Sequence, residues 1–351
     1  MNRLISFLVL VSLLPIVGCG GGSSGSGNQQ QTTTIPPLPG QFAFLQQLPN
    51  GNFKPLSATP LIGTFRSDGA FSVTNINDPV TGQPLDMPIA SLFLSSDGKN
   101  IVFEILTVAI DSSGNYFPTG SNIATANSDG IGLAMLTSSA PSEYYRSPQF
   151  SPDGKRIAFV HQLFSSTFEL RLMNADGSGQ TAPLLFSVDG LGNPSFSSDG
   201  GNMVVDIIND VADSLSQGIF QVKIDASSSS ELTNAFASPC GQSAFDEAPS
   251  FTSNGKQISF SRSCGASSGL YIMNQEGSNL AKLQGNETPN VVLFQPRAVG
   301  NRLVFSSNLD HPNTNVFELY SIMPDGSNFT RLTNDSVYDG LSTQWMNFFP
   351  R

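Results

Sequence analysis

The sequence has few of the residues on which most metalloenzymes and nucleic-acid-binding proteins depend. Only 12% of its 351 residues are charged, and it contains two histidines, three cysteines and one tryptophan. Two histidines cannot supply a cluster of imidazole metal ligands. The 16 basic residues are outnumbered by 27 acidic ones, which argues against nucleic acid as a partner because phosphate contacts require clustered Lys and Arg. Beyond the first 18 residues no long apolar pattern of helical period occurs, so the composition favours an all-β chain.

Residues 147–177 contain the patterns of two β-hairpins. In the stretch SPQFSPDGKRIAFV, apolar residues alternate on both sides of Ser151-Pro152-Asp153-Gly154, where proline presets φ for a turn and glycine accepts a positive φ. In the following stretch, LRLMNADG, alternating leucines lead into a second tight turn. Together the two hairpins predict a meander of four short strands.

The first-hairpin turn recurs along the chain, each time followed by alternating apolar residues. The steps between successive turn glycines are 56, 46, 55 and 45 residues, a spacing typical of propeller blades. The turn glycines are Gly98, Gly154, Gly200, Gly255 and, in a degraded copy, Gly300. The second turn recurs in phase at Gly130, Gly177, Gly277 and Gly326, whereas the fourth copy replaces it by a Ser-rich bend without glycine.

These residues resemble the PD40 (WD40-like) repeats of TolB-like β-propellers. Those repeats carry a Pro-x-aromatic-Ser-Pro-Asp-Gly turn followed by an apolar-Met-Asn-x-Asp-Gly turn, and residues 148–177 match this pattern almost letter for letter. The resemblance covers residues 90–351 well and residues 40–90 poorly. TolB itself carries an α/β domain before its blades, where this chain has a polar segment, and this departure argues against a Tol–Pal role without deciding the question.

The number of repeats and the two ends of the pattern predict a closed ring. The segment after Gln41 is apolar again, with expected turns at Asn50-Gly51 and Ser67-Asp68-Gly69, and looks like a blade that lacks its first strand. Residues 342–350 resemble the opening strand of a repeat. We therefore expect residues 40–351 to form an all-β, six-bladed β-propeller of four-stranded antiparallel blades, closed by pairing of the N- and C-terminal strands.

The N-terminal residues have the layout of an export signal. Residues 1–18 contain Arg3 and then an apolar run too short to cross a bilayer, and small residues precede Cys19. This resembles a bacterial lipoprotein signal, which implies a lipid on Cys19 and, with Gly20 next, an outer-membrane destination; a plain signal peptide is the alternative. Residues 19–39 are mostly Gly, Ser, Gln, Thr and Pro and predict a flexible tether.

The other two cysteines are candidates for a disulfide. Cys240 lies in the connection into one repeat, and Cys264 follows the second strand of that repeat. In a four-stranded meander these two loops emerge on the same face, so a bond between them is geometrically possible in an exported protein. The alternative is two unpaired buried thiols.

The sequence favours binding over catalysis, and we expect no catalytic residue, metal or other cofactor. Both His161 and His311 are expected to be structural or solvent-exposed. Propellers usually bind through the loops around one end of the channel, which here predicts a partner-binding rim at Tyr144, Tyr145, Arg146, Asp246, Glu247 and Asp339, although these residues could instead pack neighbouring blades and Asp246 could tie down a loop.

The main hypothesis is a lipid-anchored, exported module of the cell envelope that binds or scaffolds an envelope protein without catalysis. A glycan-binding or polysaccharide-processing propeller is one alternative, and it would need aromatic platforms and paired carboxylates at the channel mouth. The sole tryptophan, Trp345, is expected on an inner strand, which weakens that alternative. A purely structural envelope lipoprotein is the other.

Overall fold

The structure is a computed structural model that describes most of the chain between residues 42 and 340. The described residues are 42–46, 61–65, 71–74, 76, 78–82, 87–112, 116–163, 167–187, 189–211, 214–239, 244–264, 267–285, 290–312, 314, 316–334 and 339–340. The predicted signal segment, the tether, Cys19, Cys240, the two expected turns near residues 50 and 68, and residues 342–350 with Trp345 lie outside them.

Within these residues the chain forms 24 strands that pair into six four-stranded antiparallel blades, and one parallel pair of residues, Ser121 and Tyr144, also joins blades 2 and 3 into a continuous sheet. Blade 1 consists of β1 (Phe42–Gln46), β2 (Leu61–Phe65), β3 (Phe71–Thr74) and, from the other end of the chain, β24 (Asp339–Gly340). Blade 2 consists of β4 (Ile89–Leu94), β5 (Asn100–Ile110), β6 (Tyr116–Asn127) and β7 (Ala134–Met135). Blade 3 consists of β8 (Tyr144–Phe150), β9 (Arg156–Gln162), β10 (Phe168–Asn174) and β11 (Leu185–Ser187).

The remaining three blades follow the same order along the chain. Blade 4 consists of β12 (Gly190–Phe196), β13 (Asn202–Val211), β14 (Ser214–Lys223) and β15 (Ser229–Glu231). Blade 5 consists of β16 (Ala244–Phe251), β17 (Gln257–Cys264), β18 (Ser267–Asn274) and β19 (Ala281–Gly285). Blade 6 consists of β20 (Leu293–Val299), β21 (Arg302–Ser307), β22 (Glu318–Ile322) and β23 (Thr330–Arg331). Among the described residues, the one helix is a 3-10 turn at Ala235–Ala237. The described part of the chain contains no helix that is long and apolar enough to cross a bilayer.

The ring closes through blade 1 by pairing of N- and C-terminal strands, as predicted, although the pairing strand is Asp339–Gly340 and the predicted residues 342–350 lie outside the described ones. The first strand of this blade is β24, which pairs antiparallel with β1 through Leu45 opposite Gly340 and Gln46 opposite Asp339. The N- and C-terminal parts of the propeller therefore share one sheet, which removes an exposed strand edge.

The core lies between the blades, with a separate cluster of buried apolar residues at each of the six junctions. Phe44 of blade 1 packs with Val304 and Leu319 of blade 6, and Leu45 packs on the other side with Ile101 and Phe103 of blade 2. The other four clusters join blades 2 and 3, 3 and 4, 4 and 5, and 5 and 6. Each blade is thus apolar on both faces. A single antiparallel sheet could not bury these faces by itself, so each blade depends on its two neighbours.

The turn between the first and second strands has the same hydrogen bonds in several blades. In blade 3 the Ser151 hydroxyl donates to Asp153 Oδ1 at 2.6 Å, the Lys155 N–H donates to the same oxygen, and the Arg156 N–H donates to Ser151 Oγ. Gly154 has a φ of +69°, as the sequence pattern required. Blades 2, 4 and 5 repeat these bonds, with Asn254 in place of aspartate in blade 5.

Candidate binding site at the central channel

Four of the innermost strands contain a β-bulge immediately before a proline. The residues at these bulges, each with a left-handed φ between +46° and +56°, are Ser147, Asn193, Ala248 and Gln295. A left-handed backbone is unfavourable for residues other than glycine, so the surrounding structure must hold each bulge in place. All four bulges lie at equivalent positions around the channel.

Hydrogen bonds from the preceding blade hold three of these bulges. The Ser147 N–H donates to Glu104 Oε2 at 3.2 Å, the Ala248 N–H to Asp206 Oδ1 at 3.1 Å, and the Gln295 N–H to Ser261 Oγ at 3.0 Å. Each acceptor lies six residues after the turn glycine of its own blade, so this bond between blades is part of the repeat. Burial raises the pKa of the Glu104 carboxyl, although Arg146 and the hydrogen bonds to Glu104 act against that shift.

The residue after each proline lines the channel and contributes a second bond between blades. Gln149 Oε1 accepts from the Phe196 N–H at 3.2 Å. The hydroxyls of Ser195 and Ser250 accept from the N–H groups of Phe251 and Ala298, both at 3.3 Å. The channel is therefore lined, from blade 3 to blade 5, by polar side chains that each tie one inner strand to the next.

The channel has a constriction and a wide mouth. The constriction, on the side of the bulges, encloses about 30 Å³, which is room for about one water molecule. The mouth, on the side of the first-hairpin turns, has a volume of about 350 Å³. Its hydroxyl-bearing lining includes Ser96, Ser195, Ser198, Ser250, Thr252 and Ser253.

Arg297 lies where the constriction meets the mouth. Its guanidinium carbon is 3.7 Å from the centre of the Phe93 ring, and its Nη1 donates to the Leu92 carbonyl at 2.6 Å. These contacts run from blade 6 to blade 2. Burial lowers the pKa of Arg297 to about 9, so the side chain remains cationic at neutral pH.

The residues predicted to form the opposite rim are largely internal. Tyr145 and Arg146 are each 9% exposed, and Asp246 is fully buried. Tyr144 is partly buried and donates from its hydroxyl to Pro118 O, while Arg146 lies 4.5 Å over the Tyr144 ring. Glu247 is partly buried, and Asp339 is described only as part of β24. The binding rim stays a prediction, but Tyr145, Arg146 and Asp246 offer it little or no accessible surface, because their side chains pack between strands.

Asp246 forms internal hydrogen bonds, which is the structural role given above as the alternative to partner binding. Arg262 donates from Nε to Asp246 Oδ1 at 2.5 Å and from Nη2 to Oδ2 at 2.7 Å, and the Thr233 hydroxyl donates to Oδ2 at 2.7 Å. The guanidinium also lies 5.1 Å over the Tyr271 ring. The carboxylate thus joins the inner strand of blade 5 to its neighbour and to the end of blade 4.

The two histidines also contact buried or partly buried carboxylates. His161 is 7% exposed, stacks on Tyr145 with ring centres 4.4 Å apart, and has Nε2 at 2.6 Å from Glu143 Oε1. Its Nδ1 lies 3.5 Å from Glu169 Oε2. His311 Nε2 lies 3.8 Å from the buried Glu318, which also accepts from Arg331 and Thr333. The His161–Glu143 contact is a hydrogen bond that joins β9 to the residue before β8, whereas the separation between His311 and Glu318 is too long for one.

The described residues bear on metal binding, and they include one of the two cysteines of the predicted disulfide. In the described ranges, no group of three or more His, Cys, Asp or Glu side chains is arranged to hold a metal ion. Cys264, the last residue of β17, is disulfide-bonded. Its partner lies outside the described residues, so the pairing with Cys240 stays a prediction.

The six blades and their central channel define the protein as an all-β propeller. Among solved structures it is similar to TolB from Acinetobacter baumannii, with a TM-score of 0.60 and 16% identity over 86% of this chain and 65% of that chain. The putative TolB from Agrobacterium tumefaciens gives a TM-score of 0.58 and 14% identity over 86% of this chain and 91% of that chain. Hydrazine synthase from Kuenenia stuttgartiensis gives a TM-score of 0.61 and 14% identity over 87% of this chain and 46% of that chain.

These similarities establish the fold, a TolB-like β-propeller, and nothing finer. No protein-family model matches the sequence, and no curated protein matches it. The similar structures include an enzyme as well as TolB, so the shared fold does not decide between catalysis and binding.

Proposed function

We propose that the protein is a non-catalytic binding module of the bacterial cell envelope that captures an envelope protein at the mouth of its central channel. The observation that carries the proposal is the contrast between the two ends of the inner strands. At the end where the strands begin, charged and aromatic side chains are used in internal contacts, as with Asp246 and Arg146. At the other end the channel widens into a mouth of about 350 Å³.

The chemistry of the mouth suits recognition of a polypeptide. Ser96, Ser198 and Ser253 are exposed there; the Ser96 hydroxyl donates to Pro152 O at 2.8 Å, so its oxygen can still accept a hydrogen bond from a partner. Phe93 and Pro152, both partly buried, add apolar surface beside them. A concave site with apolar walls and a few placed polar groups is the usual form of a binding pocket.

Attachment to the envelope rests on the N-terminal sequence. The resemblance of residues 1–19 to a lipoprotein signal supports a lipid on Cys19, and the polar composition of residues 19–39 supports a tether between the lipid and the propeller. In this proposal the module belongs to the outer membrane and presents its channel mouth to a protein partner.

In-cell photocrosslinking from the mouth tests the proposal. We expect a photoreactive residue at Ser198 and one at Ser253 to capture the same envelope protein, and the purified pair to reconstitute the complex. A control at Phe117, 45% exposed at the far end of the β5–β6 hairpin, should not capture it. Failure to capture a common protein from Ser198 and Ser253, or equal capture from Phe117, would refute the proposal.

A further inference from the structure

The first-hairpin turn of blade 5 differs from those of blades 2, 3 and 4 in its central acceptor. Asn254 stands where those turns have aspartate, and its Oδ1 accepts from the Thr252 hydroxyl at 2.8 Å and from the Lys256 N–H at 3.0 Å. The aspartate Oδ1 accepts the same two kinds of bond in each of the other three turns. The blade 5 turn therefore has the hydrogen-bond geometry of an aspartate turn without its charge.

The residue after Asn254 makes this asparagine chemically reactive. Gly255 has no Cβ to shield its backbone nitrogen, and Asn254 is exposed to water. When the Gly255 N–H loses its proton to solvent, the nitrogen can attack Asn254 Cγ, which forms an N–Cγ bond. The Cγ–Nδ2 bond breaks, and Nδ2 takes up a proton from water and leaves as ammonia. The product is a five-membered imide that joins the two residues.

Water opens this imide in one of two ways. Cleavage of the bond between Cγ and the Gly255 nitrogen gives aspartate at position 254. Cleavage at the main-chain carbonyl of the same residue gives isoaspartate, in which the main chain runs through the former side chain. Each route adds one water molecule and involves no oxidant or reductant, so the turn and the solvent supply everything that the reaction needs.

Hydrogen bonds of the closed turn oppose the attack. The Gly255 N–H donates to the Thr252 carbonyl at 2.7 Å, and the two donors to Oδ1 fix the Asn254 amide. The attacking nitrogen has to lose its proton, and the amide has to leave its donors, before the ring can form. The reaction therefore has to start from a locally opened turn, and its rate follows the population of that open form.

The closed turn is better suited to aspartate than to asparagine. A hydrogen bond to an ionised acceptor is stronger than one to a neutral acceptor, and the Thr252 and Lys256 donors already point at Oδ1. Bonds from the hydroxyl and then the backbone N–H lower the pKa of the three equivalent aspartates, Asp97, Asp153 and Asp199, so these donors favour the ionised form. Isoaspartate lengthens the main chain and would disrupt the same turn.

We propose that Asn254 is a site of spontaneous deamidation, controlled by opening of the blade 5 turn, and that its aspartate product stabilises the turn more than the asparagine does. Water is the only co-reactant. The conversion adds a negative charge at a position where three other blades already have one. This inference does not depend on the proposed function.

Peptide mapping of the full chain by mass spectrometry, after incubation at mildly alkaline pH, tests the site and its control by the turn. We expect Asn254 to convert in the folded chain, but more slowly than in guanidinium chloride. Asn174, exposed in a turn but followed by alanine, should convert far more slowly. Thr252→Val removes the hydroxyl donor and should speed conversion about fivefold, because the closed turn loses a hydrogen bond. Thr252→Ser retains the hydroxyl and should keep the wild-type rate.

A second measurement tests the product. Asn254→Asp should have a higher urea midpoint than the wild type at neutral pH, and the gain should disappear in acid as the carboxylate is protonated. Deamidated wild-type protein separated by ion exchange should unfold like this variant where it contains aspartate, and at a lower midpoint where it contains isoaspartate. Asn254→Gln, whose longer side chain disfavours ring closure, is the control for the assignment of the site.

Three results would overturn the proposal. The first is no conversion at Asn254 in the folded chain over a time in which the unfolded chain converts fully. The second is the same rate in the wild type and in folded Thr252→Val, which would show that the turn does not control the reaction. The third is an Asn254→Asp variant that is no more stable than the wild type at neutral pH.

Discussion

Two buried carboxylates in this propeller are each paired with an arginine and a threonine from a neighbouring strand or loop. Asp246 illustrates the pattern, since its two oxygens accept from Arg262 and Thr233 while the side chain is fully buried. Glu318 repeats it in blade 6 with Arg331 and Thr333. Removing one member of such a pair is costly because the other remains buried without its counter-charge.

We expect Asp246→Asn to lower the free energy of unfolding by about 3 kcal/mol, because it leaves the Arg262 guanidinium buried beside a neutral side chain. Urea denaturation measures the change. The double variant Asp246→Leu/Arg262→Met should lose less, because apolar residues replace both ions. Glu231→Gln, an exposed carboxylate of blade 4, is the control. A smaller loss in Asp246→Asn than in the double variant would contradict the prediction.

At the scale of single elements, the innermost strands combine a bulge with a following proline. Ala248 has a φ of +51°, although a left-handed conformation costs a residue with a Cβ about 1–2 kcal/mol. The bond from its N–H to Asp206 helps to hold this geometry. The sequence pattern located the proline but not the bulge, because three of the four bulge residues, Ser147, Ala248 and Gln295, have no preference for a left-handed backbone, and only Asn193 belongs to a type that adopts it readily.

We expect Ala248→Gly to leave stability unchanged or raise it by up to about 1 kcal/mol, because relief of the backbone cost exceeds the added entropy of the unfolded chain. Ala244→Gly, buried on the same strand outside the bulge, should lower stability by about 1 kcal/mol. Denaturation midpoints distinguish the two. Equal losses in both variants would show that the bulge carries no such cost.

The repeated first-hairpin turns predict an acid-sensitive stability. Hydrogen bonds from the serine hydroxyl and then the backbone N–H lower the pKa of Asp97, Asp153 and Asp199 below the usual 3.8. The ionised carboxylates therefore stabilise the fold above the usual pKa, and this stabilisation is lost as the pH falls through the lowered values.

Replacing these three aspartates by asparagine should make stability less dependent on pH below about 4, because the proton-linked contribution disappears. Blade 5 shows that the turn tolerates the change, since Asn254 accepts the same bonds there. Thermal unfolding measured from pH 2 to 7 tests the prediction. The control is Asp189→Asn, and a triple variant with the wild-type pH profile would contradict it.

The second-hairpin turn of blade 4 shows how a repeat is disguised in sequence. This turn lacks the glycine of the other copies, but Ala226 adopts a φ of +59° in its place, and Asp225 Oδ1 accepts from the Ser227 N–H. The strand pairing of the blade is complete nonetheless, with β14 between β13 and β15. Periodicity therefore predicted the blade correctly even where the turn residue was missing.

For the whole molecule, the sequence predicted the six blades and the closure correctly. Turn glycines and alternating apolar residues are local signals, and they recur often enough to count the blades. Which side chains are accessible could not be predicted in the same way. Tyr145, Arg146 and Asp246 look like a binding surface in sequence, but packing between strands buries them. The contact of Arg297 with Phe93 could not be predicted either, because it joins blades 6 and 2, which are far apart in sequence.

Closure by β24 predicts that the end of the chain is essential for the cooperativity of unfolding. A variant lacking residues 339–351 loses the strand that pairs with Leu45 and Gln46 and exposes an edge of blade 1. We expect a lower thermal midpoint, a broader transition and aggregation. A variant that begins at residue 35 should unfold as the full chain does. Identical melting of the truncated and full chains would show that the pairing is dispensable.

Arg297 also bears on how the ring would respond to mechanical force. Blade 1 lies between blades 6 and 2 and is the one blade assembled from both ends of the chain. The stack of Arg297 on Phe93 and its bond to Leu92 connect blades 6 and 2 directly, across the channel. Tension applied between the N- and C-terminal strands of the propeller would therefore be shared between the closing pair of strands and the contacts of Arg297 with blade 2.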